Sequence, residues 1–173
     1  MSSDYNWTSF RVHSYVNVKP ADVFKRWATA EGIASFFIKE AHYLVPSTGQ
    51  QRPPDQMVDA GDEYHWQFLH DFDLRGKILA VEKDRSVSFT FGGMDVIVTI
   101  HPVDSGSLVV LEQSKIPDGT EADKGSSHLN CRSCWVFYMT NLKSVCESGH
   151  DLREHDPSRS DSASTHFQPL ELA

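Results

Sequence analysis

Two cysteines are spaced as in redox and metal sites: Cys131 and Cys134 form a C-x-x-C sequence. A redox-active pair of this kind lies at a helix N-terminus, where the helix dipole lowers the thiol pKa. Here both cysteines fall inside a long helical pattern, on its apolar side. Zinc needs two further ligands, and the sequence offers His128 but neither a second C-x-x-C nor a histidine pair at finger spacing. We therefore expect unpaired core thiols that react slowly, and no metal or cofactor.

His70 is the histidine best placed to act as a catalytic base. It lies in the alternating segment 63–72 on the same side as several large aromatic residues, and Gln113 has an equivalent inward position on a later segment. A base beside a bound apolar molecule would suit an enzyme of the cyclase or lyase type. The sequence contains neither a G-x-S-x-G elbow nor a glycine-rich phosphate loop. We therefore expect no catalytic residues, and interpret His70 and Gln113 as polar groups that orient a ligand.

Segments with apolar–polar alternation must position these residues, and such alternation is typical of half-buried strands. The segments are 7–18, 39–45, 63–72, 74–83, 86–91, 96–102 and 107–114. Compact turns, such as the one at Gly92-Gly93, separate the later segments, so neighbouring strands must be antiparallel. The stretch 46–61 is rich in proline, glycine and polar residues and is expected to be an exposed loop. The pattern predicts an antiparallel sheet of six or seven strands.

Helical patterns follow the first strand and end the domain. Pro20 begins a short helix, and a second short helix is expected over 33–37. From 127 to 148, apolar residues recur at three- and four-residue steps without glycine or proline, which predicts a long amphipathic helix that ends at Gly149. Asn141 is assigned to the polar side of this helix. Residues 1–153 are expected to form one domain, and residues 154–173 a polar tail.

This order of elements predicts an α+β fold in which a curved antiparallel sheet wraps around the C-terminal helix. Large apolar side chains point inward, and two arrangements stay open: the rings interdigitate into a solid core, or they line a hollow, because one helix cannot fill the space under a strongly curved sheet. In the second arrangement the hollow would bind an apolar or aromatic small molecule. Trp7 and Trp27 are expected to lie elsewhere. The predicted lining residues are Trp66, Phe68, His70, Phe89, Phe91, Val98, Leu111, Gln113, Trp135, Tyr138, Met139 and Leu142.

Composition limits the classes of partner. The formal net charge is −8, and basic residues are scattered among acidic ones, whereas a nucleic-acid binder needs a basic patch. The N-terminus lacks the basic start and apolar run of a signal peptide, and no stretch approaches the ~20 apolar residues of a spanning helix. Three cysteines do not suit a secreted disulfide framework. We expect a cytoplasmic protein without nucleic-acid or membrane partners, and leave a homodimer open.

A series of short motifs, spread over residues 10–153, resembles one known family. The motifs are 18–24 (VKPADVF) with Trp27, 31–33 (EGI) with Phe36 and Phe37, Gly61-Asp62, 76–79 (GKIL), 87–91 (VSFTF), and Trp135 with 141–143 (NLK). In this order they resemble the family named for the activator of the ninety-kilodalton heat-shock chaperone's ATPase, within the START-like, birch-pollen-allergen-like (SRPBCC) superfamily.

The resemblance implies a helix-grip fold, in a superfamily that commonly holds hydrophobic ligands between sheet and helix. It supplies no catalytic motif that maps onto residues of this chain. Three functions therefore follow as hypotheses. The first is non-catalytic binding of an apolar molecule, the second a cyclase or lyase that uses His70, and the third a chaperone-associated protein that contacts its partner through an exposed apolar face.

Overall fold

The computed structural model describes residues 5–69, 72–156 and 158–159. Eight strands form one antiparallel sheet in the order β1-β8-β7-β6-β5-β4-β2-β3. The strands are β1 Phe10–Val16, β2 Glu40–Val45, β3 Gln50–Gln51, β4 Glu63–Gln67, β5 Asp73–Glu82, β6 Ser86–Phe91, β7 Met94–Val103 and β8 Gly106–Ser114. The helices are α1 Pro20–Ala28, α2 Ala30–Ala34, α3 Glu121–Asp123, a π-helix Lys124–Leu129 and α4 Asn130–Ser148. Within the described ranges, no helix is long and apolar enough to cross a membrane.

The predicted fold is confirmed: a large curved antiparallel sheet is combined with two short helices and a long C-terminal helix. Some boundaries differ. The loop predicted over 46–61 contains β3, because Gly49, with φ of +67°, allows a tight turn that pairs β3 with β2. β4 ends at Gln67, since the backbone N–H of Phe68 bonds to the carbonyl of Phe72 at 2.8 Å and turns the chain into β5.

The C-terminal helical region starts earlier than the sequence pattern predicts. Thr120 and Asp123 form a capping box, in which the Thr120 hydroxyl accepts from the Asp123 N–H at 3.2 Å and the Asp123 carboxylate accepts from the Thr120 N–H at 2.7 Å. Gly125 weakens the helical pattern after this cap, which is why the prediction began later. The end is as predicted: Gly149 adopts a φ of 74° and stops α4.

The concave face of the sheet is covered by three helices rather than by α4 alone. α4 lies along β1, α1 lies on β6, β7 and β8, and α2 lies on β2. Trp27 of α1 is buried, as are Phe36, Phe37 and Ile38 in the turn after α2. These side chains occupy interior volume that the sequence pattern had left open for a ligand.

Two side chains from the end of the chain satisfy the last carbonyl groups of this turn. The Arg153 guanidinium donates to the carbonyls of Ala34 at 2.9 Å and Ile38 at 2.6 Å, and the Asn141 amide donates to that of Phe36 at 2.7 Å. The carbonyls at a helix end lack intrahelical partners, so these bonds replace the missing ones. The assignment of Asn141 to the polar side of α4 is therefore wrong: Asn141 is fully buried, because the backbone that follows α4 folds back over it.

Asp151 neutralises the buried guanidinium of Arg153. Burial alone would raise the pKa of Asp151, but hydrogen bonds from Arg153, Asn141 and His155 outweigh it and hold the pKa well below its ordinary value. Asp151 therefore stabilises the fold at pH values above about 3.9, its unfolded value. That stabilisation is lost as the pH falls through the lower value of the folded state.

Replacing Arg153 should destabilise the protein strongly. We expect Arg153→Met to lower the free energy of unfolding by about 2–4 kcal/mol, because it removes the guanidinium partner of the Asp151 carboxylate and the donor to the carbonyls of Ala34 and Ile38. Urea unfolding measures this change. Arg159→Met is the matched control, since the Arg159 side chain is 67% exposed in its ion pairs and should change stability by about 0.5 kcal/mol or less. Equal effects of the two substitutions would contradict this interpretation.

Candidate ligand site

The ring of Phe37 lies where the sheet meets α4. Besides its chain neighbour Phe36, five aromatic rings from β4, the turn after β4, β6 and α4 surround it at centroid distances between 4.7 and 6.3 Å. Several meet it edge-to-face, a favourable geometry. They belong to Trp66, Phe68, Phe91, Trp135 and Tyr138. We call these five residues and Phe37 the ring cluster.

Strand and helix periodicity places three of these six rings. On β4 and β6 every second residue faces inward, which brings Trp66 and Phe91 to the concave face. On α4, Trp135, Met139 and Leu142 recur at steps of four and three and are all buried. Phe37 depends instead on the turn after α2, where its N–H bonds to the Ile33 carbonyl at 3.0 Å.

Most of the predicted lining residues are brought together in this interior. Eight are buried: Trp66, Phe89, Val98, Leu111, Gln113, Trp135, Met139 and Leu142. Three are partly buried against the same core: Phe68, Phe91 and Tyr138. His70 lies outside the described residues. Trp7 lies apart from the ring cluster, against Tyr5 and His128.

Sequence reasoning missed two residues of this interior. Trp27 was expected to lie elsewhere, but its ring centroid is 6.2 Å from that of Trp135 and 6.5 Å from that of Phe89. The apolar stripe of α1 was the available signal, since that stripe has to face the sheet. Phe37 stands beside Phe36 in the sequence. Because both residues are apolar, the pattern does not show which of the two rings points inward. Trp27 and Phe37 are both buried.

Some buried polar side chains have good hydrogen-bond partners and one has none among the described residues. The Trp135 indole donates to the Gln113 side-chain oxygen at 2.6 Å, and the Gln113 amide nitrogen lies 2.9 Å from the sulfur of Met94. The Trp66 indole donates to the Tyr43 hydroxyl at 3.2 Å. Burial raises the pKa of Tyr43 far above its ordinary value, so this hydroxyl stays protonated. The indole N–H of Trp27 is buried without a hydrogen-bond partner among the described residues.

The cysteines have the properties of core thiols. Cys131 and Cys146 are free and half-buried. Burial raises the pKa of both, which disfavours the reactive thiolate. The sulfur of Cys134 lies 3.9 Å from the Asn130 side-chain oxygen, one helical turn earlier. Among the described residues, no group of three or more potential metal ligands is arranged around a common point.

The rings pack against each other, and open clefts lie elsewhere on the surface. One cleft of about 550 Å³ lies between α1 and the end of α4, and another of about 590 Å³ lies beside the β7–β8 turn. The first is lined largely by polar and charged residues and the second by a mixture of polar and apolar ones, and neither includes a predicted site residue. A ligand between the sheet and α4 would therefore have to displace a ring of the cluster.

One edge of the ring cluster is open to solvent. Phe72 is 54% exposed, and its ring centroid lies 5.2 Å from that of Phe68, which in turn lies 5.4 Å from that of Phe37. Further inward, the ring centroid of Trp135 lies 4.8 Å from that of Phe37, and the ring of Trp27 packs against Trp135 as the last member of the series. We call this series, from Phe72 to Trp27, the ring path. It joins the surface to the interior through aromatic contacts alone.

Comparison with protein families identifies one match. The family described as activator of Hsp90 ATPase homolog 1-like protein matches residues 17–147, which include the ring cluster and most of α4. Comparison of the sequence with curated proteins finds no match.

Solved structures share this fold at low sequence identity. A protein from Staphylococcus saprophyticus superposes with a TM-score of 0.67 at 19% identity, over 84% of this chain and 96% of its own. The Aha1 dimer from Colwellia psychrerythraea gives a TM-score of 0.63 at 12% identity, over 82% and 97%. An AHSA1-like protein from Aeromonas hydrophila gives 0.57 at 17% identity, over 82% and 93%. At these identities the likeness concerns the fold.

Removing the acceptor of the Trp135 indole should cost stability although the site stays apolar. We expect Gln113→Leu to lower the free energy of unfolding by about 1–3 kcal/mol, because it leaves a buried N–H without a partner. Urea unfolding measures the loss. Gln50→Leu, at an exposed position of β3, is the matched control and should change stability by about 0.5 kcal/mol or less. A Gln113→Leu protein as stable as wild type would show that this bond contributes nothing.

Proposed function

Since the chain belongs to the family of activator of Hsp90 ATPase homolog 1-like proteins, we propose that it binds an apolar, ring-containing small molecule between the sheet and α4 without catalysing a reaction. The ring path carries this proposal, because it leads from solvent to the interior and begins with phenylalanine side chains that an aromatic molecule can replace one for one. A ligand ring in place of a Phe ring keeps the edge-to-face and stacked contacts of its neighbours.

Three members of the ring cluster are suited to move. Phe68, Phe91 and Tyr138 are only partly buried, so rotating one of them outward exposes less new apolar surface than moving a fully buried ring would. Trp66 and Trp135 are held by their indole hydrogen bonds and supply fixed walls. The proposed site thus has rigid sides and an adaptable entrance.

The size of the expected affinity follows from the area that a ligand buries. A naphthalene-sized molecule that loses about 300 Å² of apolar surface to the protein gains about 7.5 kcal/mol at ~25 cal/mol per Å². This gain corresponds to a dissociation constant of about a few micromolar, which is a lower limit. Rotating the entrance ring outward and immobilising the ligand both cost free energy and weaken binding.

The other two hypotheses have weaker support. A cyclase or lyase would depend on His70, which lies outside the described residues. A chaperone contact would suit a continuous exposed apolar face, whereas the large exposed apolar side chains described are distributed over β1, β2, β5, β7, α4 and several loops. Self-association stays a prediction for this chain, supported by the dimer of the relative from Colwellia psychrerythraea.

Binding of a neutral apolar fluorophore tests the proposal. N-phenyl-1-naphthylamine should bind with a stoichiometry of one, gain fluorescence and quench tryptophan emission. Phe91→Asp should weaken binding by about tenfold or more, because it places a charge at the apolar entrance.

Ile97→Asp is the matched control. It introduces the same charge on β7, the neighbouring strand, at a position that is 42% exposed. It should leave the affinity within about twofold of wild type if the fluorophore binds inside. Thermal unfolding establishes that both variants are folded. The proposal is wrong if the fluorophore does not bind, or if the two variants bind it equally.

A further inference from the structure

We infer that the ligand of this interior carries a neutral hydrogen-bond acceptor, such as a ketone, ester or ether oxygen, that receives the indole N–H of Trp27. The inference rests on the proposed function, since it specifies the chemistry of the molecule that binds there. It adds a polar requirement to a site that is otherwise described by apolar contacts.

Trp27 is the primary observation. Its side chain is 1% exposed, and its ring lies against those of Phe36, Phe89 and Trp135. An indole N–H can only donate, and a buried donor without an acceptor loses the hydrogen bonds it made to water in the unfolded chain. The equivalent groups of Trp66 and Trp135 both have oxygen acceptors. Trp27 is thus a buried donor for which the described side chains provide no acceptor.

Gln113 adds a second donor that lacks a strong acceptor. Because the indole of Trp135 can only donate, the oxygen of the Gln113 amide must face it, and this fixes the orientation of the amide. The amide nitrogen then faces the sulfur of Met94 at 2.9 Å. Sulfur is a weak acceptor. The interior therefore presents more N–H groups than strong acceptors, which a ligand oxygen would balance.

The acceptor should be neutral rather than anionic. Two residues that can carry positive charge are buried in the described part of the chain, Arg153 and His128. The guanidinium of Arg153 is already paired with Asp151. The ring nitrogens of His128 are bonded to the Tyr5 hydroxyl and the Trp7 carbonyl, both at 2.9 Å. A carboxylate beside Trp27 would be buried without a free cation, which is strongly unfavourable.

Three naphthalenes of matched shape test the inference by equilibrium dialysis: 2-ethylnaphthalene, 2-acetylnaphthalene and 2-naphthoate. The ethyl compound lacks an acceptor, the acetyl compound has a neutral one, and the naphthoate has an anionic one. In Trp27→Phe, the affinity of the acetyl compound relative to that of the ethyl compound should fall about five- to tenfold, the effect of one hydrogen bond. Trp7→Phe, on a tryptophan outside the ring path, should leave this ratio unchanged.

A second measurement uses wild-type protein alone. In wild-type protein labelled with ¹⁵N, the acetyl compound should shift the indole proton of Trp27 downfield relative to the ethyl compound, because the proton enters a hydrogen bond to oxygen. The same shift with both compounds, together with an unchanged affinity ratio in Trp27→Phe, would overturn the inference and indicate that a buried water meets this N–H.

The outcomes separate this inference from the proposed function. If both neutral naphthalenes bind but Trp27 does not discriminate between them, the inference fails and the binding site stands. If none of the three binds, the proposed function fails and the inference fails with it. Tighter binding of 2-naphthoate than of 2-acetylnaphthalene would overturn the requirement for a neutral acceptor.

Discussion

The position of the Phe37 ring is the constraint on which both the packing and the proposed function depend. Phe37 follows a helix of five residues, which cannot hold a large side chain in place by itself. Side chains from the other end of the chain, Arg153 and Asn141, bond to the carbonyls on either side of it. The ring then joins β4, β6 and α4. A polar network at the surface of the core thereby determines the aromatic geometry inside it.

The sequence predicts the elements that obey a simple period. Alternation over β4, β6, β7 and β8, and the three- and four-residue repeat of α4, place ten of the twelve predicted lining residues in one buried or half-buried interior. Phe68, in the turn after β4, packs against the same interior, and His70 lies outside the described residues. The choice between Gln113 and Glu112 as the inward residue is also correct. Gln113 bonds to Trp135, whereas Glu112 pairs with Arg11 at the surface. Burying an unpaired carboxylate would have cost far more than burying an amide.

The sequence does not predict contacts made by side chains whose partners lie outside any regular strand or helix repeat. Trp27 belongs to a helix whose partner is set by the path of the chain, so its stripe alone could not place it beside Trp135. Asn141 is polar on an amphipathic helix and is buried all the same, because its partners lie in the turn after α2 and in the segment after α4. Helices α1 and α2 consequently fill much of the concavity that a single helix would leave open.

A crystal structure with 1-bromonaphthalene shows whether the aromatic interior opens to admit an apolar ring. The bromine is located by anomalous scattering, so the position of the ligand does not depend on interpreting weak density. We expect a naphthalene in contact with Phe37, with the ring of Phe68, Phe91 or Tyr138 rotated outward. Bromine bound only in the cleft between α1 and α4, with every ring of the cluster in its original place, would contradict this expectation.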